Sequence, residues 1–119
     1  MKIPGYTLHG DYYLADEVIP NKNWKEALRM KEVITLSNGK KVVAHTLSKK
    51  ELKAIPLEER GNGSKWYWTS TSYGCNGAHA WGVSNVGGFG SAGVTYSGDS
   101  GGIRLGFHKN EIKQFLDIE

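Results

Sequence analysis

"WYWTSTSY", Trp66 to Tyr73, sets Trp66, Trp68 and Ser70 on one side of an extended chain and Tyr67, Thr69 and Thr71 on the other. A period of two, carried by aromatic and β-branched residues, predicts a strand. Large aromatics anchor small sheets, so Trp68 is assigned to the core, while Trp66 and Trp81 stand between core and surface. Downstream, "AHAWGVSNV" reads as a second strand of the same kind, "AGVTYS" as a third and "GIRLGF" as a fourth, with glycine-rich turns between them.

Upstream the pattern changes. Tyr12 to Leu14 carry the content of a first strand, closed by Pro20. Asn23 followed by Glu26 is the pairing of a helix cap with an acid three residues on, and Trp24, Ala27 and Leu28 share the inward face of that short helix. "KEVITLSNGKKVVAHT" is two strands joined at Asn38-Gly39, a pair suited to a type I′ hairpin. Ser48 and Glu51 form a capping box, Leu47 and Leu52 take the staple positions, and Leu52 and Ile55 make the buried face that Pro56 ends. "EERGNGSK" reads as a solvated loop. Ile112, Phe115 and Leu116 behind Asn110 suggest a short closing helix, with a closing strand as the alternative.

Charge divides the chain in the same place. Residues 1–65 hold twelve basic and eight acidic side chains, whereas residues 66–108 hold only Asp99 and Arg104, with eleven of the sixteen glycines. Nucleic-acid binders interleave Lys and Arg with aromatics, and here the two sets occupy different halves, so nucleic acid is excluded as the main ligand. With 119 residues the chain reads as a single domain over residues 1–119, with residues 66–108 as its glycine-rich half. One cysteine, Cys75, rules out an internal disulfide. No secretory h-region and no run long enough to span a bilayer is evident, so the expected place is the cytoplasm of the producing cell, or the virion or host-cell cytoplasm if the chain is phage-encoded, with non-standard export left open and no membrane partner.

Three strings invite a sharper reading. Gly98-Asp99-Ser100-Gly101-Gly102 matches the surroundings of a nucleophilic protease serine, but the aspartate needed between His45 and Ser100 is missing except for Asp99 itself. A glycine-rich turn is the simpler meaning, and no catalytic residue is assigned. Ser100 or Cys75, with His45 or His79 as base, defines the rival hydrolase reading. Gly88, Gly90 and Gly93 fit a dinucleotide fingerprint, yet strand and turn follow them where a helix is required. His9, His45, His79 and His108 are scattered, so neither a metal nor a cofactor is expected. Arg104 needs a partner if buried, and Asp99 or the terminal acids are candidates.

The strings Trp68-Thr69-Ser70-Thr71, Ala80-Trp81-Gly82-Val83 and Gly102-Ile103-Arg104-Leu105, behind the helix start "TLSKKELKAI", resemble bacterial and phage domains of the C-type-lectin-like fold. Domains related to the formylglycine-generating enzyme and the variable proteins diversified by retroelements share these motifs. The resemblance implies an α+β fold: two short helices packed on a small, mostly antiparallel sheet with long glycine-rich loops. The Glu-Pro-Asn, Gln-Pro-Asp and Trp-Asn-Asp strings of calcium-dependent sugar binding do not occur, and a hard cation wants several converging oxygens.

The loops carry Tyr73, Asn76, His79, Asn85, Phe89, Tyr96 and Asp99 among Gly and Ser, a composition like that of antibody paratopes. With Trp81 they make the expected contact surface of a non-enzymatic binding module for a protein partner. A phage-borne inhibitor of a host protein is one form of that expectation. The alternatives are a carbohydrate-binding or surface-display domain and a purely structural subunit that assembles with itself.

Overall fold

The computed structural model describes residues 3–36, 39–74 and 77–112. In chain order the elements are β1 (Tyr6–His9), β2 (Tyr12–Ala15), β3 (Ile19–Pro20), α1 (Trp24–Arg29), β4 (Lys31–Thr35), β5 (Lys41–Thr46), α2 (Lys49–Lys53), α3 (Leu57–Arg60), β6 (Trp66–Tyr73), β7 (His79–Val83), β8 (Phe89–Gly93), β9 (Gly101–Ile103) and β10 (Leu105–His108). A helical turn follows at residues 110–112. The rest of the expected closing helix, including Phe115 and Leu116, lies outside the described residues. The strands form two five-stranded sheets, ordered β1-β2-β10-β5-β4 and β3-β9-β6-β7-β8. The expected α+β class holds, with two sheets in place of one and, beside the two expected helices, α3 and the helical turn at residues 110–112. Among the described strands only β6 and β9 pair in parallel.

Local chemistry explains most elements. Asn23 Oδ1 accepts from Glu26 N at 3.1 Å and starts α1. Ala27 is buried, and Trp24 Nε1 donates to Thr69 O at 2.8 Å. Leu28, expected to face inward, is exposed: the helix ends at Arg29 and Met30 returns to extended backbone, so only the Trp24–Ala27 turn is held against the strands. The hairpin of β4 and β5 runs from Lys31 opposite His45 to Thr35 opposite Lys41. Leu36 N donates to Lys40 O, Gly39 N donates to Leu36 O, and Gly39 takes a φ of +86° that favours glycine. Asn38 lies outside the described residues. Both halves of the Ser48–Glu51 capping box form, and Leu47 and Leu52 are fully buried.

Three expectations need correction. Residues 58–60, the start of the stretch read as solvated loop, belong to α3, which buries Arg60; Glu58 and Glu59 in its first turn and Arg60 in its last complement the helix dipole. The strand placed at "AGVTYS" lies earlier, at Phe89–Gly93, because the turn Ser84–Gly88 closes through Ser84 N to Gly88 O and fixes the register that follows. Phe89 and Gly90 therefore belong to a strand, and Gly101, read as part of a glycine-rich turn, lies in β9. "GIRLGF" is not one strand. It breaks at Arg104, leaving β9 in the second sheet and β10 in the first.

Arg104 explains the break. Its side chain is buried between the sheets, where Nε donates to Ala15 O at 2.6 Å and Nη1 to Arg60 O at 3.0 Å, with the guanidinium 5.1 Å from the Tyr67 ring centroid. Carbonyl dipoles and a π face stabilise this cation, and Asp99 is not its partner. Gly102 and Gly106, on either side, lie so close to the Ile19 and Tyr13 carbonyls that a Cβ would clash.

Alternation along β2 and β6 feeds two cores. Tyr13 and Trp68 join Ala27, Ala44, Ala80, Ile103 and Phe107 in one. Tyr12, Leu14 and Tyr67 join Leu47, Leu52, Ile55 and Val83 in the other. A strand buried on both faces reads as continuous apolar sequence, which accounts for buried Tyr67, Trp68 and Thr69 in succession.

Candidate functional site

The register between β6 and β7 is regular at Tyr67–Val83 and Trp68–Gly82, then shifts before Ser72–Ala80 and Tyr73–His79. The buried Thr69 hydroxyl fills this irregularity: it donates to Trp81 O at 3.0 Å and accepts from Thr71 N at 3.1 Å. On the outer side the segment entering α2 supports the same bend, with Ser70 N donating to Leu47 O and Lys49 N donating to Thr71 Oγ1 at 2.9 Å. The capping box thus seats Lys49 above the sheet. Lys49 Nζ lies 3.7 Å from the Trp81 ring centroid and 5.5 Å from that of Phe89.

Pairing across β6, β7 and β8 determines which expected contact residues meet. His79, Trp81 and Val83 project to one face, joined by Tyr73 opposite His79 and Phe89 opposite Val83. The Tyr73 ring meets Trp81 edge-on at 4.8 Å and His79 at 6.5 Å. Arg60 covers the end of the row, its Cζ 4.5 Å from the Phe89 centroid. Arg60 is held from behind: its carbonyl accepts both Tyr67 Oη at 2.7 Å and Arg104 Nη1. Burial pushes the Tyr67 phenol above its ordinary pKa, against the opposing pull of the Arg104 guanidinium. Among the described residues no carboxylate lies within 4.0 Å of Lys49 or Arg60.

The face is therefore aromatic and cationic, not the neutral surface that composition implied. Its elements are Tyr73 at 44 % exposure, exposed His79, half-buried Trp81 and Phe89, and two cations contributed by the other half of the chain. Each cation over a ring contributes about 0.5–1 kcal/mol where water reaches it and more where it does not. Nothing in the local pattern signalled Lys49 as a contact residue, whereas the helical signal that places Arg60 was present in Pro56-Leu57-Glu58-Glu59-Arg60.

The remaining expected residues lie elsewhere. Tyr96 packs on Trp66 at 5.7 Å, on the face opposite Trp81, and its hydroxyl and Trp66 Nε1 both engage Ser100 Oγ, at 3.1 and 3.2 Å. Ser100 has no hydrogen bond to a histidine, and His45 Nδ1 lies 3.1 Å from the carbonyl of Thr46 in the other sheet. Asp99 offers its carbonyl to Lys65 Nζ at 2.8 Å. Asn85 sits in the exposed turn, with its carbonyl accepting from Gly63 N. Asn76 and Cys75 lie outside the described residues. Beside Trp66, a groove of about 400 Å³ is floored by Gly82 and Gly90 and walled by Ser84, Gly88 and Ala92. The described residues contain no cluster of three His, Cys, Asp or Glu side chains suited to a metal, and no helix among them is long and apolar enough to cross a membrane.

Comparison with known protein families, with curated proteins and with solved structures finds no match to this chain.

Proposed function

We propose that the chain is a non-enzymatic binding module of C-type-lectin-like type that recognises a protein partner through Tyr73, His79, Trp81 and Phe89. The observation that carries the reading is the row of rings Tyr73, Trp81 and Phe89, supported from beneath by a packed core and flanked by two cations that no carboxylate among the described residues meets. Rigid aromatics supply contact area at low entropic cost, and unpaired cations wait for an acidic complement. The lectin-like assignment draws support from two of the motif strings occupying the paired strands β6 and β7, with Gly102 and Ile103 of the third in the adjacent β9 and its Leu105 in the other sheet. Tyr96 and Asp99 belong to a separate patch.

The test compares wild type with Tyr73→Ala and Trp81→Ala, immobilised and exposed to lysate of the native producing or host cell. One partner, identified by mass spectrometry, is retained by wild type and lost by both variants, while Tyr73→Ala melts near wild type. Equal capture by all three proteins removes this face from the function. The carbohydrate alternative has its own feature, the glycine-floored groove against Trp66. Binding of a neutral oligosaccharide that Trp66→Ala abolishes and Trp81→Ala spares favours that reading instead.

A further inference from the structure

β8 is an outer strand of the second sheet, and its backbone is only half used. Hydrogen bonds from Ser84 N to Gly88 O at 2.7 Å and from Val94 N to Ala78 O at 3.0 Å bracket it. In an antiparallel ladder the bonded residues alternate, so Gly90 and Ala92 face β7, and the N–H and C=O groups of Phe89 and Ser91 face outward. Gly93 O is occupied by Tyr96 N at 3.0 Å, which marks one end of the open stretch. The strand, Phe89-Gly90-Ser91-Ala92-Gly93, carries neither a charge nor a proline to discourage pairing.

Both sides of this edge are shaped. On one side stands Phe89, with Arg60 Cζ at 4.5 Å and Lys49 Nζ at 5.5 Å from its ring. Arg60 is nine-tenths buried, yet its Nε has no hydrogen-bond partner among the described residues. On the other side lies the groove of about 400 Å³ against Trp66, where a Cβ added to Gly90 would meet nothing within 4 Å. A strand laid along β8 at the usual ~4.8 Å spacing sends alternate side chains to these two environments.

We propose that β8 receives an extended acidic segment of a partner protein as an added strand. Its carboxylates stand over Phe89 between Lys49 and Arg60, and its intervening apolar side chains enter the Trp66 groove. The inference rests on the protein-binding reading above and names how that partner is held. Charge selects this occupant over a second copy of the chain, because another β8 brings no acid to meet the two cations.

The experiment titrates the isotope-labelled protein with an acetylated, amidated six-residue peptide alternating Glu with Val, and with its Lys–Val counterpart. The Glu–Val peptide is expected to shift the Phe89 and Ser91 amides and to slow their hydrogen exchange, with the Lys–Val peptide at least tenfold weaker. Ser91→Pro removes an outward N–H that the fold does not use and is expected to weaken binding at least tenfold without lowering the melting temperature greatly. Lys49→Glu keeps every backbone group and is expected to weaken the Glu–Val peptide about tenfold while improving the Lys–Val one. Absence of binding, equal binding of the two peptides, or full binding by Ser91→Pro overturns the proposal. A concentration-dependent dimer that Ser91→Pro dissolves overturns it in favour of a second copy. A partner lost by Trp81→Ala yet retained by Ser91→Pro sinks the edge and leaves the aromatic face standing.

Discussion

The two sheets end differently. In the first, β4 presents Lys31 and Glu32, and the Tyr6 hydroxyl of β1 donates to Glu32 of β4, so the side chains of the two outer strands meet and the sheet is curled. Curling and charge both blunt an edge. In the second sheet β3 is two residues long and ends in Pro20, but β8 has five residues built from Phe, Gly, Ser and Ala. Among the described residues three of the four edges are guarded and one is open, and the open one lies in the nearly uncharged half. Within residues 66–108 the strands of the second sheet share the low charge of the turns between them, and its outer strand β8 carries no charged side chain.

The sharpest way to break this comparison is to ask whether the sheets are separable. Trp68 packs with Tyr13 and Phe107 of the first sheet and with Ala80 and Ile103 of the second. Trp68→Ala is expected to lower unfolding free energy by about 3–5 kcal/mol in a single urea transition seen by every probe. Two separated transitions would show that each sheet holds by itself.

Glycine substitution sharpens the contrast between centre and edge. Gly106, in a central strand, has no room: an added Cβ would stand 2.6 Å from Tyr13 O and 2.9 Å from Leu14 Cδ2. Gly106→Ala is expected to cost about 1–3 kcal/mol. Gly90, on β8, faces open space, and Gly90→Ala is expected to be neutral or to stabilise by up to ~1 kcal/mol through the unfolded chain. Thermal denaturation of the pair measures both, and equal losses would mean that the groove beside Gly90 is closed in solution.

The smallest effect is in pH. Burial first, then the hydrogen bond to Glu32 and that residue's charge, hold the Tyr6 phenol well above its usual pKa. Because the folded value is raised, the neutral phenol's contribution is complete below the unfolded pKa of about 10 and is lost as pH rises beyond it. Tyr6→Phe is therefore expected to flatten part of the alkaline loss of stability in denaturant titrations between roughly pH 9 and 11. An unchanged alkaline slope would detach Tyr6 from the curling of the first sheet.

Much of the secondary structure was legible because its causes sit within a few residues of each other. Asn23 and Glu26, Ser48 and Glu51, and the alternation of Trp66 to Tyr73 each state their own geometry. The errors fall where a distant partner decides. Leu28 obeys helical spacing but the helix ends too soon for it to be covered, and "GIRLGF" alternates as one strand yet is divided by carbonyls of Ala15 and Arg60. Of the expected contact residues, Tyr73, His79, Trp81 and Phe89 converge, while Tyr96 lies behind them. A loop reading had no means of separating these, since the two faces of a strand differ by one position in register.

By itself the sequence determined the hairpin of residues 31–46, the capped start of α2, the β character of residues 66–73 and the segregation of charge from glycine, because turn chemistry, capping and periodicity act between near neighbours in the chain. Tertiary structure alone decided that Lys49 and Arg60 would meet Phe89, that Arg104 would divide two strands, and that β8 would be left with an open edge. Each of those outcomes depends on which strands pair across tens of residues, and pairing is settled by the burial of both faces at once, which no local pattern encodes.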